Sequence, residues 1–221
     1  TKLCREGWGG ALAKCEEVIN STQYALVTNG SPHPYSWFFT EDGENSSESI
    51  FEVQMYENAN GSVVFGNEYN QVQGVRGSGD WDLGWGFNVP TPTLLAAYET
   101  GDPRKGATFL ESGQPDGIYG ATVPASLASI QKYWNKKVYT DPARRRATGD
   151  RFGLWLNIRL LRYADVLLMA AEAANEVGGA DNVQKALGWL EMIRARARNG
   201  AAILPPVTTT DKNALREAIH R

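Results

Sequence analysis

The sequence predicts a mainly α fold in which helix pairs carry long irregular loops and one small β-hairpin. Three observations predict it. Leu160, Leu161, Ala164, Leu167, Leu168, Ala171 and Ala174 recur on one helical face. A second run, Val183, Ala186, Leu187, Leu190, Ile193 and Ala197, follows directly after Gly178-Gly179. Much of the chain before these runs is rich in glycine and aromatic residues and holds neither a helical nor a strand period.

The elements follow in order. A helix is expected from about Trp8 to Asn20, its apolar face formed by Trp8, Ala11, Leu12, Cys15, Val18 and Ile19. Residues from about Asn29 to Ser49, with Pro32, Pro34 and Gly43, read as loop. Ile50 to Tyr56 alternates, with Phe51, Val53 and Met55 on the face expected to be buried and Glu52 and Gln54 on the other. The stretch Glu57 to Gly61 reads as a turn, and Ser62 to Phe65 as the returning strand. Thr91-Pro92 starts a short helix, with Thr91 as N-cap and Gly101 beyond its end. Asp102 to Ala128 reads as irregular, and the neighbourhood of Tyr133, Trp134 and Tyr139 as either strand or helix. The strongest helix spans roughly Leu156 to Val177, with Arg159, Arg162 and Asp165 as an ion-pair set along it. Asp181 and Gln184 form a capping box for the next helix, which runs to about Arg198. A last helix starts near Asp211.

Composition narrows the function. The 221 residues carry a net charge of −3, so nucleic acid finds no general attraction. The basic run Arg144-Arg145-Arg146, with Lys136 and Lys137 nearby, reads as a solvated loop. No stretch approaches the roughly 20 apolar residues of a membrane span. The two histidines, His33 and His220, lie far apart, and no zinc, dinucleotide, P-loop or nucleophile-elbow motif occurs. No cofactor is expected. Asp80-Trp81-Asp82-Leu83-Gly84 begins like a calcium loop, but position 91 is Thr where the closing Glu belongs, so the two Asp are expected to cap turns. Cys4 and Cys15 admit two states: buried free thiols, the commoner arrangement, or a disulfide between facing helices. A chain that opens on Thr1 and stops at Arg221 within a helical pattern is expected to be a piece of a longer protein.

Several segments carry a resemblance. Ile158 to Ala173 (IRLLRYADVLLMAAEA) resembles the signature helix of the SusD/RagB family, and Ala186-Leu187 with Ile193-Arg194-Ala195-Arg196-Ala197 its next helix. Leu215 to Ile219, Ala13 to Tyr24, Glu48 to Gln54, and Gly84-Trp85-Gly86 with Pro90-Thr91 fit the same family in order. The Gly7 to Leu12 segment also resembles the start of the second helix of a tetratricopeptide unit. The resemblance implies a single domain over residues 1–221 built on tetratricopeptide-like helix pairs, with further helix pairs upstream. It implies no catalysis, a glycan ligand, a SusC-like TonB-dependent transporter as partner, and a place on the outer membrane at the cell surface. Contact with the membrane would come only through a lipid anchor outside this fragment.

The residues themselves offer one constellation suited to sugars. Stacking needs a flat aromatic surface, and hydroxyls need hydrogen-bonding side chains. Tyr69, Asn70, Arg76, Asp80, Trp81, Asp82 and Trp85 supply that mixture. Each Trp is also a candidate core anchor, Trp85 more than Trp81. Tyr35 and Trp37 form a second candidate platform for which core packing is favoured. Two other readings compete. One is a peptide- or protein-binding module with a helical groove lined by residues such as Asn175 and Arg194. The other is a helical glycoside hydrolase, for which no acid–base pair is recognisable.

Overall fold

The computed structural model describes residues 2–57, 64–65 and 68–221, with side chains from 7 to 56 and from 68 onward. Its helices are α1 (Lys2–Asn20), α2 (Pro34–Trp37), α3 (Tyr69–Gln73), α4 (Pro92–Ala97), α5 (Pro103–Thr108), α6 (Pro142–Thr148), α7 (Tyr163–Val177), α8 (Ala180–Arg198) and α9 (Lys212–His220). The strands are β1 (Ser49–Val53), β2 (Tyr56–Glu57), β3 (Val64–Phe65), β4 (Phe109–Glu111), β5 (Tyr133–Asn135) and β6 (Ile158–Arg162). They pair two by two as β1 with β6, β2 with β3 and β4 with β5. The chain divides into two compact units, one of residues 1–28, 45–51 and 160–221, the other of 29–44 and 52–159.

The first unit is helical. α7 packs against α1, α8 and α9. Its Ala170, Ala171, Ala173 and Ala174 are fully buried, and side chains this small let neighbouring backbones approach from more than one side. Leu12 of α1, Ala186 and Leu190 of α8, and Leu215 and Ile219 of α9 close over Ala171, Ala173 and Ala174. A second cluster joins Tyr163, Ala164, Leu167 and Ile193, with Ile19, Tyr24, Leu26 and Ile50 against it. Asp211 caps α9 by accepting the Ala214 N–H at 2.8 Å. Trp8, placed by periodicity on the apolar face of α1, is 49% exposed. Cys15 is a free, half-buried thiol whose pKa is pushed up by burial and by neighbouring Glu16. The side chain of Cys4 and the expected turn at 58–61 lie outside the described residues.

One buried carboxylate gathers this unit. Glu48 has no exposure to solvent, and its Oε2 accepts from the Val27 N–H at 3.0 Å and from Arg196 Nη1 at 2.8 Å. Arg162 Nη1 stands 3.8 Å from its Oε1, and the Glu48 carbonyl accepts the Tyr163 N–H at 2.8 Å. Arg162 in turn grips Asp165, whose Oδ2 takes the Arg162 backbone N–H at 3.0 Å and so caps α7.

These contacts correct four expectations. The long helix begins at Tyr163, not Leu156, because Ile158 to Arg162 is strand, and Leu160 is 57% exposed. The expected ion-pair set therefore splits: Arg162 and Asp165 pair across the helix start, while Arg159 turns to Glu52 at 3.6 Å. The faces of β1 are reversed as well. Glu52 is buried, with Asn157 Nδ2 donating to it at 3.1 Å, whereas Phe51 is 56% exposed. A carboxylate with such partners can turn inward where an isolated one cannot. Finally, Asp181 does not cap α8, which starts one residue earlier with Gly179 at its N-cap.

The second unit is built on short elements. Val75, Leu83, Leu110, Val123, Leu127, Trp134 and Tyr139 form its core, and Leu110 faces Trp134 across the antiparallel β4–β5 pair. A buried acid organises the loop above it. Asp116 Oδ1 accepts the N–H groups of Ile118, Tyr119 and Gly120, and Oδ2 accepts Ala121 N–H and the Tyr139 hydroxyl, all within 3.0–3.1 Å. The Asp102–Ala128 stretch is not wholly irregular. It holds α5 and β4, and α5 starts on the Asp102 N-cap with Pro103 at the first position.

Two outcomes are expected. Glu48→Gln removes the buried anion that faces Arg196 and lowers unfolding free energy by about 3–5 kcal/mol in urea titration. The Arg216 guanidinium, helped by Lys212, holds the Glu176 carboxyl down to about 2 from an ordinary 4.5. A depressed acid stabilises fully above its ordinary value and loses that contribution as pH falls toward 2. Wild type and Glu176→Gln should therefore differ in stability at neutral pH and converge in acid, followed by circular dichroism.

Candidate functional site

The glycine-rich loop of the second unit folds back on itself. After α3 the chain runs through Val75, makes a 3-10 turn at Gly79–Trp81, and returns along its outward path. Backbone bonds lace the two passes: Leu83 N–H to Val75 O, Trp85 N–H to Gln71 O, Gly86 N–H to Gly74 O and Phe87 N–H to Val72 O, all at 2.8–2.9 Å. The approach is so close that only glycine fits at two points. A Cβ on Gly84 would lie 2.0 Å from the Gln71 carbonyl oxygen, and one on Gly74 2.2 Å from that of Leu83.

Val75 and Leu83 belong to the core cluster, whereas Trp85, two residues on, lies outside it. Trp85 is 44% and Phe87 57% exposed, and their rings meet edge to face with centroids 6.2 Å apart. Tyr69, at the start of α3, is also exposed. An exposed pair of large rings on a backbone held by four hydrogen bonds is a pre-formed apolar surface for a C–H-rich ligand. Trp85 thus stands in solvent, where a core anchor was the favoured expectation.

The other predicted residues fall into three places. Trp81 is half-buried, stacked on Tyr139 at 5.6 Å and 5° and packed on the core cluster. Asp80 and Arg76 are exposed, and Asp82 is ion-paired with Arg151. Asn70 is 4% exposed and gives its amide to the Gly153 carbonyl at 2.6 Å, which makes it a loop anchor. Tyr35 is buried against Phe39, as core packing required.

Beside Trp81 lies a recess of about 110 Å³ lined by Gly79, Asp80, Leu83, Pro142, Arg145, Arg146 and Arg151. Arg145 and Arg146, expected on a solvated loop, lie instead on α6, where Asp141-Pro142 is the helix-start signal, and Arg145 is buried. A larger cleft of about 500 Å³ lies among Tyr98, Glu99, Lys105, Phe109, Glu111 and Tyr133, and none of the predicted residues lines it. The histidines serve the fold: His33 Nδ1 accepts the Tyr35 N–H at 3.1 Å, and His220 sits 2.8 Å from Glu172. Asn175 and Arg194, named for a peptide groove, are both buried and bonded to the carbonyls of Lys212 and Pro205.

Gly84→Ala is expected to break the return pass, costing more than the roughly 1 kcal/mol of an ordinary strained site. Its signature is earlier proteolysis between residues 74 and 87 with the helical unit still folded.

Known proteins resemble this chain along nearly all of its length. SusD-like protein P2 of Formosa agariphila is 25% identical over 95% of the chain, and the chain spans 42% of that relative. A crystal structure of a SusD superfamily protein from Parabacteroides distasonis superposes with a TM-score of 0.68 at 26% identity, covering 98% of this chain and 44% of the other. A laminarin-binding SusD-like protein superposes with a TM-score of 0.64 at 26% identity, covering 97% of this chain and 49% of that one. The chain therefore spans less than half the length of these proteins. The sequence model of the SusD family matches residues 47–221, covering β1 to β6, both loops of the candidate site and the α7–α9 helices; the chain belongs to the SusD/RagB family.

Proposed function

We propose that this chain forms part of a non-catalytic glycan-capture protein, holding oligo- or polysaccharides at the cell surface for delivery to a SusC-like TonB-dependent transporter. The observation that carries the reading is the Trp85–Phe87 pair with Tyr69, exposed on a backbone that the Gly74–Gly84 approach keeps from moving. A pyranose lays its C–H face on such rings, while Arg76 and Asp80 stand exposed nearby in the chain to meet hydroxyls. The structural relative that binds laminarin supports the same ligand class. Attachment to the outer membrane would come from a lipid anchor in the rest of the protein. No helix among the described residues is long and apolar enough to cross a membrane.

Stacking on a shallow surface gives modest affinity, in the micromolar to millimolar range, or about −8 to −4 kcal/mol. That suits a protein that must release its cargo. The peptide-groove reading loses the residues it named, since Asn175 and Arg194 face inward.

The test is gel retardation of the full-length protein by a panel of soluble polysaccharides. At least one glycan should retard it, and Trp85→Ala should abolish the shift while lowering the thermal midpoint less than Trp81→Ala does, because its ring lies outside the core cluster. Trp81→Ala should weaken both binding and fold, since that ring packs on Tyr139 and the core. Retention that Trp85→Ala does not alter would remove the platform from the site.

A further inference from the structure

We infer that the recess beside Trp81 binds the anionic substituent, carboxylate or sulfate, of an acidic glycan. The inference rests on the glycan-capture reading and names its ligand class. α6 starts on the Asp141 N-cap and turns Arg145 inward, where it is 7% exposed. Arg145 Nη1 donates to the Thr140 carbonyl and, at 3.1 Å, to the Thr140 hydroxyl, and the guanidinium lies 5.0 Å from the Tyr139 ring centre. Trp81 stacks on that same ring. A fixed guanidinium therefore stands against the Tyr139 ring on which Trp81 stacks, and among the described residues no carboxylate pairs with it. Arg146, one residue on, is exposed and likewise has no carboxylate partner among the described residues.

The charge balance of the recess is positive. Arg151 is matched by Asp82, which leaves Arg145 and Arg146 facing Asp80 alone. Arginine suits this task because its planar fork matches the geometry of carboxylate and sulfate oxygens. Asp80 is placed to accept from a neighbouring sugar hydroxyl. Size agrees: a recess of about 110 Å³ has room for a charged substituent. The chain as a whole carries −3, so a polyanion gains nothing from its net charge and must find a local site.

The experiment compares retardation of the full-length protein by a neutral β-glucan, by polygalacturonate, by a sulfated galactan and by polyglutamate, which is anionic but carries no sugar. One of the two acidic glycans should retard it, identifying the substituent, and raised salt should weaken the effect. Polyglutamate should not. Arg146→Met should lower affinity for that glycan by about tenfold, a 1.4 kcal/mol change, while Arg146→Lys keeps part of it. Arg146 is exposed, so neither variant should disturb folding. Retardation by the neutral glycan alone, equal retardation by polyglutamate, or indifference to Arg146→Met overturns the inference and leaves glycan capture standing. No retardation by any glycan overturns both.

Discussion

Glu48 is a carboxylate sealed from water, and an anion in that position must be answered by donors from whatever surrounds it. The answer comes from segments distant in sequence: the Val27 amide, the Arg196 guanidinium of α8 and, slightly farther off, Arg162 at the threshold of α7. Apolar packing of the alanines on α7 supplies the bulk of the burial, but it is non-directional. The ion cluster specifies where β1 and the start of α7 must sit for that packing to close. The same rule recurs in the second unit with a different answer. Asp116 is met almost wholly by amides of its own loop, so there the buried acid shapes a local turn.

Above that turn the site is assembled from two kinds of rigidity. Backbone hydrogen bonds hold the Trp85–Phe87 platform, and ring stacking with hydrogen bonding holds the Trp81–Tyr139–Arg145 group. Tyr139 is fixed from a further side, since its hydroxyl also donates to Asp116, and burial drives its pKa far above the ordinary phenol value. It stays a neutral donor at any physiological pH. A capture protein gains from such pre-organisation, because little conformational entropy remains to be lost when a flexible polysaccharide settles on it.

Much of the helical unit was legible in the sequence because periodicity reports burial directly. α8, α9 and most of α7 fall where their apolar residues recur, and Thr91 and Asp211 announce α4 and α9 as caps. The errors share one cause: partners far away in the chain. Ile158 to Arg162 has helical periodicity yet pairs as strand with β1, and Glu52 faces inward because Arg159 and Asn157 await it. Neither partner is visible in a local window. In the candidate site, no periodicity reported the direction of each ring. Trp85 is exposed on a loop that doubles back so closely that a Gly84 Cβ would lie 2.0 Å from a carbonyl oxygen, an approach no local window displays. The arginines of α6 went unread because a basic run looks alike whether solvated or lining a recess.

The glycine-locked loop has a consequence for how this protein can change. Backbone shape is set at Gly74 and Gly84, whereas Trp85, Phe87 and Asp80 hang from it without packing in the core. Recognition and folding are therefore written in separate letters of the same short segment. Outward positions outside the core cluster can change while the glycine-set backbone that presents them stays the same. A scaffold with this division of labour can be retargeted by a handful of surface substitutions, in nature or at the bench.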